Sequence, residues 1–286
     1  MSAGERGSKV ALICGGGRFP LVAAEAARRR GIEVFLLGLK GIADPGAESF
    51  PHVWLGVGQL GAAFREIEAR GIKEVCFIGG LGRPEFADLR PDWGAIKRLP
   101  DILRLLRGGD DHALKGVIRL FEGEGLRVIG VETLAPELVA APGAMNRIAF
   151  PKDLEDDLAF GHDCLTALSA FDCGQGLVLS NRRIVALEAA EGTDAMLLRV
   201  ADLREKGRWR AKPPSGLLIK APKKGQDLRV DLPAIGPETV ASAARAGLVG
   251  IAVEAGRVLI LDREAVALQA GKAGLFLYGF SRGGTA

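Results

Sequence analysis

The first half of the chain alternates short apolar runs with helix-like segments, and this alternation constrains the fold more than any other feature of the sequence. The runs KVALIC (9–14), EVFLLGL (33–39) and EVCFI (74–78) are typical of strands that are buried on both faces of a sheet. A further strand pattern covers 127–131, and helix-like segments separate these runs. Strands that alternate with helices predict an α/β fold with a Rossmann-like parallel sheet.

Glycine-rich turns follow two strands of this predicted sheet. Gly15, Gly16 and Gly17 come after the first run, and Gly79 and Gly80 come after the third. Glycine lets a backbone approach a ligand closely, and a helix that begins after such a turn offers N–H groups to an anion. We therefore predict that these five glycines bind substrate. The first turn lacks the full G-x-G-x-x-G spacing, and a tight turn with no ligand would give the same sequence.

The length of 286 residues suits two domains better than one. Periodicity breaks at Pro136, Pro142 and Pro151, where we place the junction. We predict a nucleotide-binding, Rossmann-like domain at 1–136 and a second, catalytic α/β domain at 137–286. A hairpin-type turn at Glu254–Arg257 is predicted to close the second domain.

Composition excludes several classes of protein. A hydrophobic content of 48% with 26% charged residues is ordinary for a soluble protein, and no apolar run approaches the roughly 20 residues that cross a bilayer. A net charge of +3 is too small to predict nucleic-acid binding. The four cysteines form no CxxC pair and are predicted to be reduced thiols, and the polar amino terminus lacks a secretory pattern. The predicted compartment is the cytoplasm.

Basic residues concentrate between Arg204 and Lys224, where eight Lys or Arg accompany a single Glu, with Trp209 among them. A tryptophan beside cations is a combination found at lipid headgroup surfaces. A solvated basic loop fits the pattern equally well, so the sequence leaves both interpretations open.

The stretch GLLIKAPKKGQDLRVDLPAIGPET, at 216–239, carries the densest group of reactive side chains. An apolar run ends at Lys220, and a loop interrupted by Gly and Pro then supplies further cations, an amide and carboxylates: Lys223, Lys224, Gln226, Asp227, Arg229 and Asp231. Asp227, Arg229 and Asp231 share one face if this loop is extended. Carboxylates suit Mg²⁺ or Mn²⁺, and cations neutralise phosphate oxygens. The pattern predicts a phosphate and metal site, although an ion-paired, solvated strand would look similar.

A second polar group lies at Glu191–Asp194. Gly192 permits an unusual backbone conformation, and Thr193 or Asp194 can cap the helix that follows. Such a cap leaves a carboxylate at the same sheet edge as the loop after Lys220. Helix capping alone accounts for these residues equally well.

Three stretches together resemble a known family: GGGRFP near the amino terminus, GQGLVLSNRRIVALEAAEGTDAML in the second half, and KAPKKGQDLRVDLPAIGPETV with AGLVGIAVEAG after it. They resemble the UDP-2,3-diacylglucosamine pyrophosphatases of lipid A biosynthesis, of the single-chain type unrelated to the calcineurin-like metallophosphatases. The similarity covers essentially the whole chain. Two departures are the doubled lysine in KAPKKGQD and Arg18 after the first glycine turn.

The resemblance implies Mg²⁺-dependent hydrolysis of the pyrophosphate bond of UDP-2,3-diacylglucosamine, with Mn²⁺ as an alternative ion. The products are UMP and 2,3-diacylglucosamine 1-phosphate (lipid X), and the ligand lies in a cleft between the two domains. Asp227 is then the essential carboxylate, which binds the metal or orients the water, with Asp194 as a second metal ligand. Asp231 and Arg229 are implied catalytic neighbours. The remaining predicted substrate-binding side chains are Thr193, Lys220 and Gln226.

The same resemblance implies where such an enzyme works and what it meets. Its partner is a lipid-linked UDP-sugar, and its place is peripheral, on the inner face of the inner membrane of a Gram-negative bacterium. A homodimer is left open, and nucleic acid is not expected. Two competing functions are a nucleotide-sugar transferase or epimerase and a non-enzymatic sensor of a nucleotide-lipid. The missing dinucleotide fingerprint and the missing Ser/Tyr-x-x-x-Lys pair count against the first.

Overall fold

A computed structural model describes residues 7–80, 92, 110–171 and 173–281 of the protein. The chain forms two compact units: unit 1 comprises Met1–Pro136 together with Asp227–Asp231, and unit 2 comprises Glu137–Gln226 together with Leu232–Ala286. The short segment Asp227–Asp231, termed the Asp227 turn below, is therefore part of unit 1, although the sequence analysis assigned it to the second domain.

Unit 1 is built on a five-stranded parallel sheet, which confirms the predicted α/β architecture. Its strands are β1 (Lys9–Cys14), β2 (Glu33–Leu39), β3 (His52–Leu55), β4 (Glu74–Ile78) and β5 (Arg127–Ile129). The helices among its described residues are α1 (Phe19–Arg29), α2 (Leu60–Ala69), α3 (Asp110–Gly123) and α4 (Val131–Leu134). The strand order is β3-β2-β1-β4-β5, so the order reverses between β1 and β4. Ligands of open α/β sheets bind at such a reversal point, beyond the carboxyl ends of the strands.

The core of unit 1 explains why the Asp227 turn groups with it. Phe121 of α3 packs against Phe64 and Phe77 with ring centroids 4.9 and 5.0 Å apart. Val230 packs against this same cluster of buried side chains. An apolar side chain from late in the sequence thus completes a core built early in the sequence.

Unit 2 is built on a mixed six-stranded sheet in the order β6-β13-β11-β9-β7-β8. Its strands are β6 (Gly143–Ala144), β7 (Gly176–Ser180), β8 (Arg183–Leu187), β9 (Leu217–Lys220), β11 (Gly250–Glu254) and β13 (Phe276–Phe280), and β10 (Ala234–Ile235) pairs separately with β12 (Leu259–Ile260). Its helices are α5 (Glu155–Leu168), α6 (Thr193–Glu205), α7 (Pro237–Arg245) and α8 (Arg263–Lys272).

The hairpin predicted at Glu254–Arg257 is wrong. Strand β11 pairs in parallel with β9 and β13, while β12 pairs with β10. The two runs are both short and apolar, so their sequences alone could not show that they belong to different sheets.

The β7–β8 hairpin fixes the position of the residues that follow β8. Its two turn residues, Asn181 and Arg182, have positive φ values of 51° and 56°, as a tight hairpin requires. The buried carboxylate of Asp157, on α5, accepts hydrogen bonds from both of their backbone N–H groups, at 2.8 and 2.6 Å. Strand β8 therefore ends at the edge of the sheet where β9 also ends, because both strands run antiparallel to β7.

Trp209 lies in the core of unit 2, so it does not stand at a lipid surface, which was one of the two interpretations left open for the basic stretch. Only 8% of the residue is exposed, and the guanidinium of Arg204 stacks on its ring at 3.7 Å. Arg204 in turn donates hydrogen bonds to four backbone carbonyl groups, those of Ala211, Ser215, Ala246 and Gly247. An arginine and a tryptophan close in sequence here form a structural contact within the unit.

Candidate functional site

The two glycine turns of unit 1 lie against each other at the reversal point of the sheet. The N–H of Gly16 donates to the carbonyl of Gly80 at 2.7 Å, and the N–H of Gly80 donates to the carbonyl of Gly16 at 3.0 Å. A Cβ atom on Gly15 would lie 2.7 Å from the carbonyl oxygens of both Gly79 and Gly80. Glycine is required at Gly15 because two backbones touch there.

This contact changes what the glycines can offer a ligand. The N–H groups of Gly16 and Gly80 each donate to a carbonyl of the other turn, so they are not available to a ligand. Gly17 differs, because its φ is +83° and a Cβ there would meet no atom within 4 Å. The next residue, Arg18, precedes α1 and makes no side-chain cap bond to it. The amino-terminal end of α1 is thus the part of this edge with the chemistry to attract an anion, and the substrate-binding role of the glycines stays a prediction.

A cavity of about 480 Å³ opens at the opposite, amino-terminal edge of the same sheet. Arg28 and Arg70 line it, and their guanidinium groups lie over the rings of Phe50 and Phe35. Both arginines also pair with glutamates of their own helices. The cavity lies at the end of the sheet where ligands of this architecture do not usually bind, and we assign no function to it.

The Asp227 turn is not extended, so the predicted common face of Asp227, Arg229 and Asp231 is wrong. The N–H groups of Val230 and Asp231 both donate to the backbone carbonyl of Asp227, at 3.3 and 3.2 Å, which closes a tight turn. The Asp227 carboxylate also accepts from the N–H of Arg229 at 3.1 Å. Aspartate forms such local bonds readily, and in this turn they outweigh the alternating pattern that suggested a strand.

Both carboxylate oxygens of Asp227 contact the guanidinium of Arg229. Oδ1 accepts from Nε at 3.0 Å, and Oδ2 accepts from Nη2 at 2.7 Å, in the two-pronged arrangement typical of arginine and carboxylate. Arg229 also donates from Nη1 to Glu122, on α3, at 2.8 Å. Its hydrogen bonds hold the pKa of Asp227 below the usual range, and the two carboxylates raise the pKa of Arg229. Asp227 is therefore an ionised, oriented carboxylate whose side chain is 20% exposed.

In unit 2, three polar side chains come together at the edge where β9 ends, and we term them the Glu188 cluster. They are Lys220 at the end of β9, Glu188 immediately after β8, and Thr193 at the start of α6; their exposed fractions are 4%, 8% and 9%. The Lys220 ammonium donates to the Thr193 hydroxyl and lies 3.4 Å from the Glu188 carboxylate. Thr193 donates in turn to Glu188 at 2.9 Å. The structure thus brings together two predicted substrate-binding residues, Lys220 and Thr193, and adds Glu188.

Thr193 and Asp194 do not cap α6. The N-cap is Gly192, with φ of 81°, and no side chain bonds to it as a cap. The Thr193 hydroxyl belongs to the Glu188 cluster instead, while Asp194 is exposed in the first helical turn. Gln226 is buried, and its side-chain carbonyl accepts from the N–H of Lys223 at 2.8 Å, which shapes the loop ahead of the Asp227 turn.

The predicted metal ligands belong to different units, Asp227 to unit 1 and Asp194 to unit 2. Among the described residues, no three His, Cys, Asp or Glu side chains lie close enough together to hold a metal ion by themselves. The pairing of these two aspartates at one ion stays a prediction.

Sequence reasoning missed two buried glutamates at the carboxyl edge of the unit 2 sheet. Glu188 was passed over in favour of the polar residues just after it. Glu254, at the end of β11, lies 3.0 Å from Arg257 and 4.0 Å from His162. A signal for Glu188 existed in the sequence, because Gly174 and Gly176 are the small residues that make room for it. For Glu254 and His162, which are 92 positions apart in the printed sequence, no local pattern marked the contact.

Comparison with known proteins covers both units. The family model of the LpxI N-terminal domain matches residues 9–138, and that of the LpxI C-terminal domain matches residues 141–278. The chain belongs to the LpxI family. A LpxI protein of Caulobacter vibrioides, named UDP-2,3-diacylglucosamine pyrophosphatase LpxI, is 41% identical over 271 residues, which cover 95% of this chain and 97% of the relative. Membership of the LpxI family confirms the family resemblance drawn from the glycine turn, the GQGLVLS segment and the QDLRVDLP segment.

Proposed function

We propose that the protein hydrolyses the pyrophosphate bond of UDP-2,3-diacylglucosamine in lipid A biosynthesis, with Mg²⁺, to give UMP and 2,3-diacylglucosamine 1-phosphate. The observation that carries the proposal is the near full-length similarity to the Caulobacter protein whose name states this pyrophosphatase activity. In this reaction the oxygen of a water molecule forms a bond to one phosphorus, the bond from that phosphorus to the bridging oxygen breaks, and the bridging oxygen leaves with the other phosphate.

Asp227 is the side chain best suited to act on the attacking water or on a metal. Arg229 keeps it ionised and fixes its orientation through both oxygens, while a fifth of its surface stays open. An oriented carboxylate that is already charged loses little free energy to reorganisation when it binds an ion or aligns a water. Asp231, at the end of the same turn, is the second carboxylate that we propose for this unit.

The donor chemistry of the Asp227 turn fits Mg²⁺. This ion is usually held by one or two carboxylates, with substrate phosphates and water completing its shell, so a cluster of three protein ligands is not required. Oδ2 of Asp227 retains a lone pair beyond its single bond to Arg229, whereas Oδ1 already accepts from both the backbone N–H and Nε of Arg229. When bound, the ion would neutralise charge that develops on the phosphate oxygens. Asp227 would hold it, with Asp194 as the further ligand predicted from the sequence.

Lys220 is the group that we propose to bind a phosphate oxygen in unit 2. Its ammonium has three N–H donors, and Thr193 and Glu188 accept two of them. A buried cation attracts a phosphate more strongly than a solvated one, because little water competes for it. The amino-terminal end of α6, next to Thr193, adds the favourable end of a helix dipole for an anion.

We also propose that the protein meets its lipid substrate at an anionic membrane surface. None of the described helices is both long and apolar enough to cross a bilayer. Exposed cations at Lys206, Arg208, Arg210 and Lys212 support the proposal, whereas Trp209 does not. Binding to phosphatidylglycerol vesicles that weakens as salt rises from 50 to 500 mM would fit it, in keeping with screening of surface charge. Equal binding at both salt concentrations would count against it.

The decisive experiment measures UMP release from UDP-2,3-diacylglucosamine by the purified protein. We expect release that stops with EDTA and returns when excess Mg²⁺ is added. Retained binding of the substrate without any UMP would indicate a sensor, and consumption of substrate only with an added acceptor would indicate a transferase. Release that is unaffected by EDTA would remove the metal from the proposal but not the hydrolysis.

A further inference from the structure

The Glu188 cluster contains a buried ion pair between Lys220 and Glu188. The reaction proposed above gives a role to Lys220 but none to the carboxylate of Glu188. All three members are more than nine-tenths buried, and each contacts the other two. Removing a lysine ammonium from water costs free energy, which attraction to a carboxylate offsets only when the geometry is good. A buried pair of this kind is thus weak evidence for stability by itself, and its purpose needs another explanation.

The chain around Glu188 is shaped to hold its carboxylate in one place. A Cβ atom on Gly174 would lie 2.5 Å from Cγ of Glu188, and one on Gly176 would lie 2.7 Å from its Oε2. The same two glycines bond to the backbone of Glu188: Gly174 donates to its carbonyl at 3.0 Å, and the carbonyl of Gly176 accepts from its N–H at 2.9 Å. Two glycines therefore clear the space for this side chain and fix its backbone.

The position of the ammonium follows from these contacts. Gly176 of β7 pairs with Lys220 of β9. The residue that limits the space of Glu188 therefore also fixes the position of Lys220 along its strand. Thr193 then connects the two charges, since its hydroxyl accepts from Lys220 and donates to Glu188. A lysine side chain has four rotatable bonds, and this arrangement selects one position for its terminal charge.

We propose that Glu188 is a positioning residue, which acts with Thr193 to hold the Lys220 ammonium in the position from which it binds a phosphate of the substrate. This inference rests on the proposed function, because it concerns how Lys220 performs its part in that reaction. Glu188 itself does not touch the substrate. Its effect on turnover passes entirely through Lys220.

A double-mutant cycle on UMP release separates this role from a structural one. The variants are Glu188→Gln, Lys220→Met and the two combined, with Asp202→Asn as a matched control that breaks an exposed ion pair on α6. We expect each single variant to lower kcat/KM by about 100-fold or more, in the range seen when one charge-stabilising donor is lost. In the Lys220→Met background, Glu188→Gln should lower kcat/KM by less than about 3-fold further, because its target is already absent. The control should keep the rate of the unaltered protein.

The melting temperatures of the same variants distinguish a positioning role of Glu188 from a purely structural one. Each single variant leaves one buried charge without its counter-charge, whereas the double variant removes both and should recover most of the lost melting temperature. Our inference predicts a double variant that is stable and inactive. A double variant that recovers both stability and kcat/KM would overturn the inference, because the ion pair would then contribute to folding but not to the reaction.

A second substitution keeps the inference testable if a single charge variant fails to fold. Thr193→Val replaces the hydroxyl with a methyl of similar volume and keeps both charges. We expect it to fold and to lower kcat by about 10-fold, while Thr193→Ser, which restores the hydroxyl, should return most of that loss. An unchanged rate in Thr193→Val would contradict the inference. Absence of UMP release by the unaltered protein would instead be a failure of the proposed function.

Discussion

The two units hold their charged residues in opposite ways. In unit 1, Asp227, Arg229 and Glu122 form a chain of ion pairs whose side chains are 20%, 39% and 41% exposed. In unit 2, Glu188, Thr193 and Lys220 form a cluster that is more than nine-tenths buried. The chemistry is similar, a carboxylate beside a cation, but solvent can replace a lost partner in the first case and cannot in the second.

This difference in exposure determines whether a substitution changes turnover alone or both turnover and stability. A solvated ion pair contributes little to folding, so a change in the Asp227 turn should be read mainly in turnover. A buried pair depends on both members, so a change there should lower stability as well as turnover. Stability and activity should therefore separate for single substitutions in the Asp227 turn and move together for single charge substitutions in the Glu188 cluster.

The largest effect is expected for Asp227→Ala. Loss of the oriented carboxylate should lower the rate of UMP release by about 1,000-fold or more, or roughly 4 kcal/mol in activation free energy. The melting temperature should stay within about 2 °C, because the lost pair is partly solvated. Steady-state kinetics and a thermal melt check both parts. A variant with near-normal turnover would exclude Asp227 from the mechanism.

A large loss of stability is expected for Lys220→Met. The Glu188 carboxylate is then buried without its cation, and the free energy of unfolding should fall by about 3–5 kcal/mol. The matched substitution in unit 1 is Arg229→Met, for which we expect the free energy of unfolding to fall by less than about 1 kcal/mol. Urea unfolding monitored by circular dichroism measures both. Equal losses for the two variants would remove the distinction between the units.

An intermediate effect is expected for Gly15→Ala, which tests the backbone contact between the glycine turns. The added methyl would approach two carbonyl oxygens at 2.7 Å, and relief of this clash should cost about 1–3 kcal/mol. Gly80→Ala is the control, because a Cβ at that position meets no atom within 4 Å. Comparable melting temperatures for the two variants would show that the turns separate more easily than their bonds suggest.

A smaller effect concerns the pH dependence of stability. The pKa of Asp227 is held below its ordinary value of 3.8, chiefly by the side-chain bond to Arg229. The pair therefore stabilises the fold fully above the ordinary pKa, and this stabilisation is lost as the pH falls through the lowered one. The stability difference between the unaltered protein and Asp227→Asn should be constant from pH 7 to about 5 and should shrink below about pH 4. A difference that grows on acidification would contradict this assignment.

The smallest effect is expected for Glu122→Gln. The side chain of Arg229 keeps its two bonds to Asp227, so turnover should fall by no more than about 3-fold and stability should change by less than about 0.5 kcal/mol. Initial-rate measurements at 50 and 500 mM salt check this, and the difference from the unaltered protein should narrow at the higher concentration. A loss as large as that of Asp227→Ala would instead make Glu122 part of the essential site.

The sequence predicted the architecture of unit 1 well, because buried parallel strands leave a strong local pattern. The apolar runs at 9–14, 33–39 and 74–78 coincide with β1, β2 and β4. The same reasoning failed for β11 and β12, where each run was read as the partner of the other. Pairing depends on contacts between distant segments, which a short apolar run does not encode.

The candidate site was predicted in composition but not in geometry. Lys220 and Thr193, 27 positions apart, were both identified and do meet. Asp227, Arg229 and Asp231 were expected on an extended strand, and local aspartate bonds fold them into a turn instead. Glu188 was missed because a glutamate at the end of a strand usually faces solvent. Only the two glycines that pack against it, Gly174 and Gly176, indicated in the sequence that it was enclosed.

The assignment of the Asp227 turn to unit 1 bears on how this protein can be divided. A fragment ending at Pro136 would contain every strand and helix of the first unit and still lack Val230, which packs against that unit's core. A fragment starting at Glu137 would carry an apolar valine and an arginine away from the groups that they normally contact. Expression of the two halves from separate genes should thus yield a first half that is less stable than its sheet suggests, and adding a peptide spanning 225–233 should raise its melting temperature.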